Sequence, residues 1–152
     1  MNILFVCSAN ICRSFLAEML TRDEIEARNL ENISVASAGL FAQPGSPPDP
    51  EMIKYLEEMG ISVNEHLSRK IEKEDVDWAD HILVMEKMHA DLIRETWPEA
   101  GEKVEPLGAY ISRPEMVDDI IDPYNRTSFH YRLVQSQITL ALKAFLQKIS
   151  IE

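Results

Sequence analysis

Residues 1–14 read MNILFVCSANICRS, and this stretch indicates a strand, a tight loop and the start of a helix. The apolar run Ile3 to Val6 has the composition of a strand that is buried on both faces. The run leads into Cys7, and Arg13 follows six positions later, just before a helical pattern. Inward-pointing N–H groups of such a loop, with the helix N-terminus behind it, form a cradle for an anion. The stretch therefore predicts an anion site with a thiol at one end.

The residue types at Cys7 and Arg13 indicate the chemistry of this site. The planar guanidinium of Arg13 can bind two oxygens of a tetrahedral oxyanion. The same positive surroundings favour the thiolate of Cys7, which is the nucleophilic form of a cysteine. A nucleophile at the bottom of a phosphate cradle points to phosphoryl transfer to sulfur. Taken without the residues around them, Cys7 and Arg13 have an equally good structural explanation. Cys7 would be a buried cysteine that ends a core strand, and Arg13 a solvated arginine that starts a helix.

Length and composition suit a single domain, residues 1–152, with a real hydrophobic core. The net charge of −11 argues against nucleic acid and anionic membranes as partners, because their phosphates would be repelled. The first apolar run is too short for a membrane span or a signal peptide. Two cysteines do not make a disulfide framework. We therefore expect a cytoplasmic protein that is not inserted in a membrane.

Histidine spacing gives no sign of a metal site. The four histidines are His66, His81, His89 and His130. They have no metal-ligand spacing with one another or with the cysteines. The sequence therefore predicts no metal and no cofactor.

Apolar patterns along the chain alternate between strands and helices. Predicted strands cover residues 3–6, 33–36, 81–85 and 104–107, and predicted helices cover 15–28, 50–60, 87–96 and 127–149, with a helical turn or two within 71–77. The alternation predicts an α/β fold: a single-domain three-layer αβα sandwich with a four-stranded parallel sheet and helices on both faces. Sites in such sheets lie beyond the carboxyl ends of the strands, where Cys7, Ser37 and Glu86 fall.

A long predicted loop, residues 108–124, contains candidates for a general acid. A leaving group of high pKa must be protonated as it departs from phosphorus, so this chemistry needs an acid near the loop. The loop offers Asp118, Asp119 and Asp122. By themselves, Asp122 and Pro123 are better explained as a turn-starting pair than as part of a site.

Residues 6–14, VCSANICRS, closely resemble the signature loop of the low-molecular-weight protein tyrosine phosphatases, and the resemblance covers essentially the whole chain. The tripeptide at 122–124 is similar to the element that supplies the general acid in this family. The resemblance implies a cysteine-dependent protein tyrosine phosphatase that acts through a phosphocysteine intermediate. It assigns Cys7 as nucleophile, Arg13 as phosphate-binding residue and Asp122 as general acid.

The resemblance also implies supporting roles. The phosphate-binding loop comprises Ser8, Ala9, Asn10, Ile11, Cys12, Arg13 and Ser14. The residues that match a network supporting this loop are Asn10, Ser14, Ser37 and His66. The mouth, which contacts the phenyl ring, is expected to be lined by Ile11, Phe41 and Tyr124. Because Cys7 and Cys12 share one loop, a reversible disulfide between them is expected to protect the nucleophile from oxidation.

Two positions depart from the family pattern. Ala9 stands where the family usually has glycine, and a positive φ there would cost roughly 1 kcal/mol. Phe15 stands where the family usually has proline, which is favourable in a first helical turn but not necessary. Neither change removes a reacting group.

Several alternatives stay open. Protein-arginine phosphatases resemble this chain but carry threonine at the position of Ile11, which favours a guanidinium-type leaving group. Arsenate reductases share the fold but have further cysteines after the third strand, where residues 82–89 contain none. A phosphocysteine carrier or phosphate-reading module would not need Asp122. Residues 40–46 and 85–87 resemble the bacterial branch, which implies as partner a phosphotyrosine protein such as an autophosphorylating kinase of polysaccharide export.

Overall fold

The computed structural model describes residues 1–63, 65–112 and 119–151, in which strands and helices alternate. The strands are β1 (Asn2–Cys7), β2 (Ser34–Gly39), β3 (His81–Val84) and β4 (Val104–Pro106). The helices are α1 (Arg13–Ala27), α2 (Pro50–Glu58), α3 (Lys73–Trp78), α4 (Lys87–Thr96) and α5 (Ser128–Ile151). Short 3-10 segments lie at Pro98–Lys103 and Leu107–Tyr110. The predicted candidate Asp118 lies outside the described residues.

The four strands form one parallel sheet in the order β2-β1-β3-β4. The central strand β1 pairs with β2 along its whole length, ending with Cys7 opposite Gly39. On its other side, Val6 is opposite Val84 of β3. The predicted second strand, 33–36, therefore continues to Gly39, because parallel pairing with β1 persists that far. Cys7 consequently lies at the carboxyl edge of the sheet, between the ends of two neighbouring strands.

Alternate side chains of β1 enter two separate cores. Ile3 and Phe5 belong to a cluster that includes Leu16 of α1 and Phe145 of α5. Leu4 and Val6 belong to a second cluster, which includes Val76 of α3, Ala90 and Ile93 of α4, and Val104 of β4. Burying each large apolar side chain is worth about 1.5–3 kcal/mol. The predicted three-layer αβα sandwich is therefore confirmed, and both layers hold β1 in place.

Within the described residues, none of the helices combines the length and the apolar character needed to cross a membrane.

Candidate active site

The loop between β1 and α1 turns its carbonyl groups away from its concave side. Five loop carbonyls accept hydrogen bonds of 2.8–3.0 Å from groups outside the concave side. Cys7 accepts from Leu40 N–H, Ser8 from Phe41 N–H and Asn10 from His66 Nε2. Ile11 accepts from Asp49 N–H and Cys12 from Leu16 N–H. In a planar trans peptide, the following N–H points opposite to the carbonyl. The inward N–H groups are therefore those of Ser8, Ala9, Ile11, Cys12 and Arg13. This arrangement is a cradle of donors for an oxyanion.

Cys7 lies at the base of this cradle and is 2% exposed. Its Sγ is 3.0 Å from Ser14 Oγ and accepts a hydrogen bond from the backbone N–H of Asn10 at 3.3 Å. These two contacts fix the position of the sulfur at the base of the cradle.

Asn10 has a left-handed backbone conformation, with φ of 59°, and is fully buried. Its Nδ2 donates to Ser14 Oγ and to Ser37 Oγ, each at 2.9 Å. Its carbonyl accepts from His66, whose ring packs on Phe15 with centroids 4.7 Å apart. The structure thus brings the four predicted supporting residues, Asn10, Ser14, Ser37 and His66, into one network.

Ala9 does not carry the strain that a positive φ would impose. The described non-glycine residues with positive φ are Asn10, Asn29, Asn32 and Asn125. Because Ala9 is not among them, alanine in place of glycine brings no energetic cost from a positive φ at this position. Phe15, the other departure, is fully buried at the start of α1.

Arg13 is 1% exposed and is anchored on one side of its guanidinium. Its Nη1 donates to Glu86 Oε2 and to the carbonyl of Ile120, each at 2.7 Å. Its Nη2 lies 3.9 Å from Asp122 Oδ2. Its buried Nε has no hydrogen-bond partner within the described residues. A buried donor without a partner is costly, and an oxyanion in the cradle would satisfy it.

A cavity of about 140 Å³ opens over the loop. It is lined by Cys7, Ala9, Ile11, Cys12, Arg13, Asp122 and Tyr124. These residues include the predicted nucleophile, arginine and acid. The predicted mouth residue Phe41 is not among the lining residues, and its ring is 63% exposed. Contact of Phe41 with a substrate therefore stays a prediction.

Two aspartates of the loop before α5 have different environments. Asp119 Oδ1 accepts a hydrogen bond from the backbone N–H of Lys87 at 2.8 Å, which fixes its side chain at the start of α4. Asp122 Oδ1 accepts from the backbone N–H of Tyr124 at 3.1 Å, while the side chain lines the cavity. The turn role and the site role of Asp122 therefore coexist, and Asp119 is committed elsewhere.

The sequence does not predict His89 as a site residue, because its spacing from the other histidines and from the cysteines indicates no metal site. Its ring is fully buried, and Nδ1 accepts a hydrogen bond from the backbone N–H of Glu86 at 3.1 Å. The neutral ring therefore carries its proton on Nε2, which donates to Ser8 Oγ at 2.9 Å. Burial, with Arg13 nearby, lowers the pKa of His89 from 6.5 to about 4. The available sequence signal was a capping box, in which Glu86 and His89 stand three apart at a helix start.

Cys12 is 4% exposed and, like Cys7, is a free cysteine. Burial raises the pKa of the Cys12 thiol, and the charge of Asp49 adds to the effect. Cys12 is therefore protonated at neutral pH. Its predicted disulfide with Cys7 stays a prediction. Within the described ranges, no group of three or more His, Cys, Asp or Glu side chains could hold a metal ion.

The chain matches a family model described as low molecular weight phosphotyrosine protein phosphatase over residues 2–152. A protein-arginine-phosphatase of Geobacillus stearothermophilus is 35% identical and covers 99% of this chain and 97% of its own length. The low molecular weight phosphotyrosine protein phosphatase of Homo sapiens is 34% identical, with coverages of 97% and 94%. The solved structure of the tyrosine phosphatase Wzb from Escherichia coli K30, in complex with sulphate, has a TM-score of 0.85 at 29% identity and 97% coverage of both chains. The chain belongs to the low molecular weight phosphotyrosine protein phosphatase family and is a protein phosphatase.

His89 should make the folded protein sensitive to acid. The unfolded ring takes up a proton near pH 6.5, whereas the folded ring resists protonation until about pH 4. The contribution of His89 is therefore complete above pH 6.5 and declines by up to roughly 3 kcal/mol as the pH falls toward 4. Urea denaturation between about pH 7 and about pH 4.5 should show a smaller loss of stability in His89→Asn than in wild type. If wild type and His89→Asn lose the same unfolding free energy, groups other than His89 cause the acid sensitivity.

Gly39→Ala should disturb the loop through a direct clash. A Cβ at this position would lie 2.6 Å from the Ser8 carbonyl and 3.0 Å from the Asn10 nitrogen. We expect a loss of about 1–3 kcal/mol in unfolding free energy and a fall of about tenfold or more in turnover of para-nitrophenyl phosphate. The matched control is Gly45→Ala, where φ is 86° but no atom crowds the added carbon. It should lose about 1 kcal/mol of stability and keep its rate; equal rates in both variants would contradict the prediction.

Proposed function

We propose that this chain hydrolyses phosphotyrosine in proteins through a phosphocysteine intermediate. Cys7 is the nucleophile, Arg13 binds the phosphoryl oxygens and Asp122 is the general acid. The observation that carries the proposal is that these three side chains line one cavity over a cradle of inward N–H groups. The sulphate in the Wzb structure is a tetrahedral oxyanion of the same shape and charge type as the phosphoryl group.

In the first step, the Cys7 sulfur attacks phosphorus as the bond to the phenol oxygen breaks. The inward N–H groups and the edge of Arg13 formed by Nε and Nη2 stabilise the charge on the equatorial oxygens. Asp122 gives its proton to the departing phenol oxygen. The products of this step are tyrosine, phosphocysteine and the Asp122 carboxylate.

In the second step, water attacks phosphorus and the sulfur–phosphorus bond breaks. The Asp122 carboxylate takes a proton from the attacking water, which restores the acid for the next cycle. The sulfur leaves as a thiolate, stabilised by the hydroxyl of Ser14 and the backbone N–H of Asn10. Inorganic phosphate is the final product.

The walls of the cavity suit an aromatic leaving group. Ile11 and Tyr124 line it, and Tyr124 is half exposed at the opening. An apolar and aromatic wall packs well on the face of a phenyl ring. Ile11 offers no polar atom that a guanidinium could bind. These contacts favour phosphotyrosine as the substrate.

Phosphoarginine is the second candidate substrate, because the Geobacillus stearothermophilus relative at 35% identity is a protein-arginine-phosphatase. The identity to the human tyrosine phosphatase is 34%, so overall similarity does not separate the two substrates. Arsenate reduction lacks support, since residues 82–89 contain no cysteine for a thiol relay. A phosphocysteine carrier would gain nothing from Asp122 in the cavity, because an acid there promotes turnover.

The proposed partner is a phosphotyrosine-containing protein, such as a bacterial tyrosine kinase of polysaccharide export. Support comes from the resemblance of residues 40–46 and 85–87 to the bacterial branch and from the similarity to Wzb. We further propose a cytoplasmic location, because the mechanism needs Cys7 as a free thiol and both cysteines are free. The net charge of −11 makes nucleic acid an unfavourable partner.

Direct comparison of substrates tests the proposed function. The wild-type protein should hydrolyse a phosphotyrosine peptide with a higher kcat/KM than a phosphoarginine peptide, and Cys7→Ser should be inactive on both. Ile11→Thr should move the ratio of the two kcat/KM values toward phosphoarginine by roughly tenfold, because it adds a polar group to the wall. A wild-type preference for phosphoarginine would establish the second candidate instead.

Asp122→Asn should show a loss of rate that depends on the leaving group. General acid catalysis contributes roughly 10²–10⁴-fold, but only where the leaving oxygen needs a proton. Hydrolysis of phosphotyrosine should therefore slow strongly. With an activated phenol of low pKa, phosphorylation of Cys7 should be nearly normal, and phosphocysteine should accumulate in a rapid-quench measurement.

The matched control for this variant is Asp119→Asn. Its carboxylate is committed to the backbone N–H of Lys87, so its loss should affect stability more than rate. If Asp119→Asn shows the leaving-group dependence and Asp122→Asn does not, the general acid is Asp119.

A further inference from the structure

A chain of hydrogen bonds leads from Cys7 through the loop to a carboxylate on α1. Cys7 Sγ lies 3.0 Å from Ser14 Oγ, which accepts a hydrogen bond from Asn10 Nδ2 at 2.9 Å. The same Nδ2 donates to Ser37 Oγ at 2.9 Å, and Ser37 Oγ donates to Glu18 Oε1 at 2.5 Å. None of these five residues is more than 8% exposed, so the chain is almost entirely buried.

Two groups bound to this chain fix the direction of its hydrogen bonds, because one can only accept and the other can only donate. An ionised carboxylate has no proton, so Ser37 must donate to Glu18. A backbone N–H can only donate, and that of Arg69 donates to Asn10 Oδ1 at 3.0 Å. This contact holds the amide with its Nδ2 toward both serines. The Ser14 hydroxyl therefore accepts from the amide and directs its own proton to the sulfur.

Glu18 is held in the form and position that this direction requires. Its second oxygen, Oε2, accepts from Arg22 Nε at 2.8 Å. Arg22 is itself anchored, because its Nη2 donates to the carbonyl of Val35 at 2.6 Å. The cation offsets the cost of burying the carboxylate. Glu18 does not line the cavity over Cys7, so none of the proposed chemical steps uses it.

We propose that Glu18 is a positioning residue for the nucleophile: by accepting the Ser37 proton, it keeps the Asn10 amide oriented so that Ser14 donates to the Cys7 sulfur. The proposal rests on the proposed role of Cys7 as nucleophile. Without the carboxylate, the buried Ser37 proton turns to the Asn10 amide, and two donors face each other. Turning the amide over moves the conflict to the Arg69 N–H, so neither orientation of Asn10 satisfies every donor, and the hydrogen bond from Ser14 to the sulfur is no longer held in place.

The reaction of the resting enzyme with iodoacetamide over a series of pH values tests this positioning role without any phosphorylated substrate. The thiolate reacts and the thiol does not, and tandem mass spectrometry locates the label on Cys7. Glu18→Gln keeps the shape of the side chain; its oxygen stays with Arg22, so its amide nitrogen presents a further donor to Ser37. We expect alkylation at mildly acidic pH to slow by roughly tenfold and the half-maximal rate to move to higher pH. Glu18→Ala should act in the same direction, and either variant decides if the other does not fold.

A double-mutant cycle with Ser37→Ala separates positioning from a general structural role. Without the Ser37 hydroxyl there is no conflicting donor, so adding Glu18→Gln to Ser37→Ala should cause no further slowing. The matched control is Thr21→Val, a buried position on the same helix, where the hydroxyl binds the carbonyl of Ala17. Its alkylation profile should equal that of wild type.

Two results would overturn the positioning role. One is an alkylation profile of the Glu18 variants that equals that of wild type. The other is that Glu18→Gln slows alkylation as much in Ser37→Ala as it does in wild type. The proposed function fails separately, through absence of phosphotyrosine turnover by the wild-type enzyme. Because alkylation needs no phosphorylated substrate, a shifted profile in such an enzyme would still support the role of Glu18.

Discussion

The left-handed conformation of Asn10 is the constraint on which the active-site loop depends. A positive φ at a buried residue reverses the direction of the chain within one position, and asparagine tolerates it better than most residues. The reversal places the Asn10 N–H against the sulfur and its carbonyl against His66. The side chain then stabilises this backbone by binding Ser14 and Ser37. The left-handed backbone of Asn10 and the hydrogen bonds of its side chain thus stabilise one geometry, in which loop N–H groups point to the concave side of the loop.

Arg13 supplies a buried positive charge to the site of a protein that is strongly acidic overall. Arg13 is buried, and Glu86 neutralises one end of its guanidinium. A buried pair of this kind adds little to stability, because desolvation offsets the attraction, but it fixes the orientation of the arginine. The carbonyl of Ile120 shares the same end, and the Ile120 N–H binds the carbonyl of Met85. The loop that carries Asp122 is therefore tied to the end of β3 and to the arginine.

Local patterns predicted the fold because their causes are local, whereas the roles of Cys7, Arg13 and Asp122 were implied by the resemblance to the family. The apolar run before Cys7 predicts a doubly buried strand, and Asp49 followed by Pro50 predicts a helix start, where the Asp49 carboxylate accepts the Glu51 N–H. The partners of the loop are distant in sequence: Glu86 is 73 residues from Arg13, and Arg69 is 59 residues from Asn10. No periodicity relates such pairs, so their contacts required the structure.

Loop side chains were the least predictable part of the site. Tyr124 lines the cavity, whereas the Phe41 ring is mostly exposed, although both were expected at the mouth. The cradle is built from backbone groups and binds the phosphoryl group whatever it is attached to. In the proposed function, the leaving group is distinguished by a few side chains that line the cavity, above all Ile11, Tyr124 and Asp122. On this proposal, relatives of equal overall identity can share the cradle and differ in substrate, because the wall of the cavity, and not the fold, decides between phenol and guanidinium.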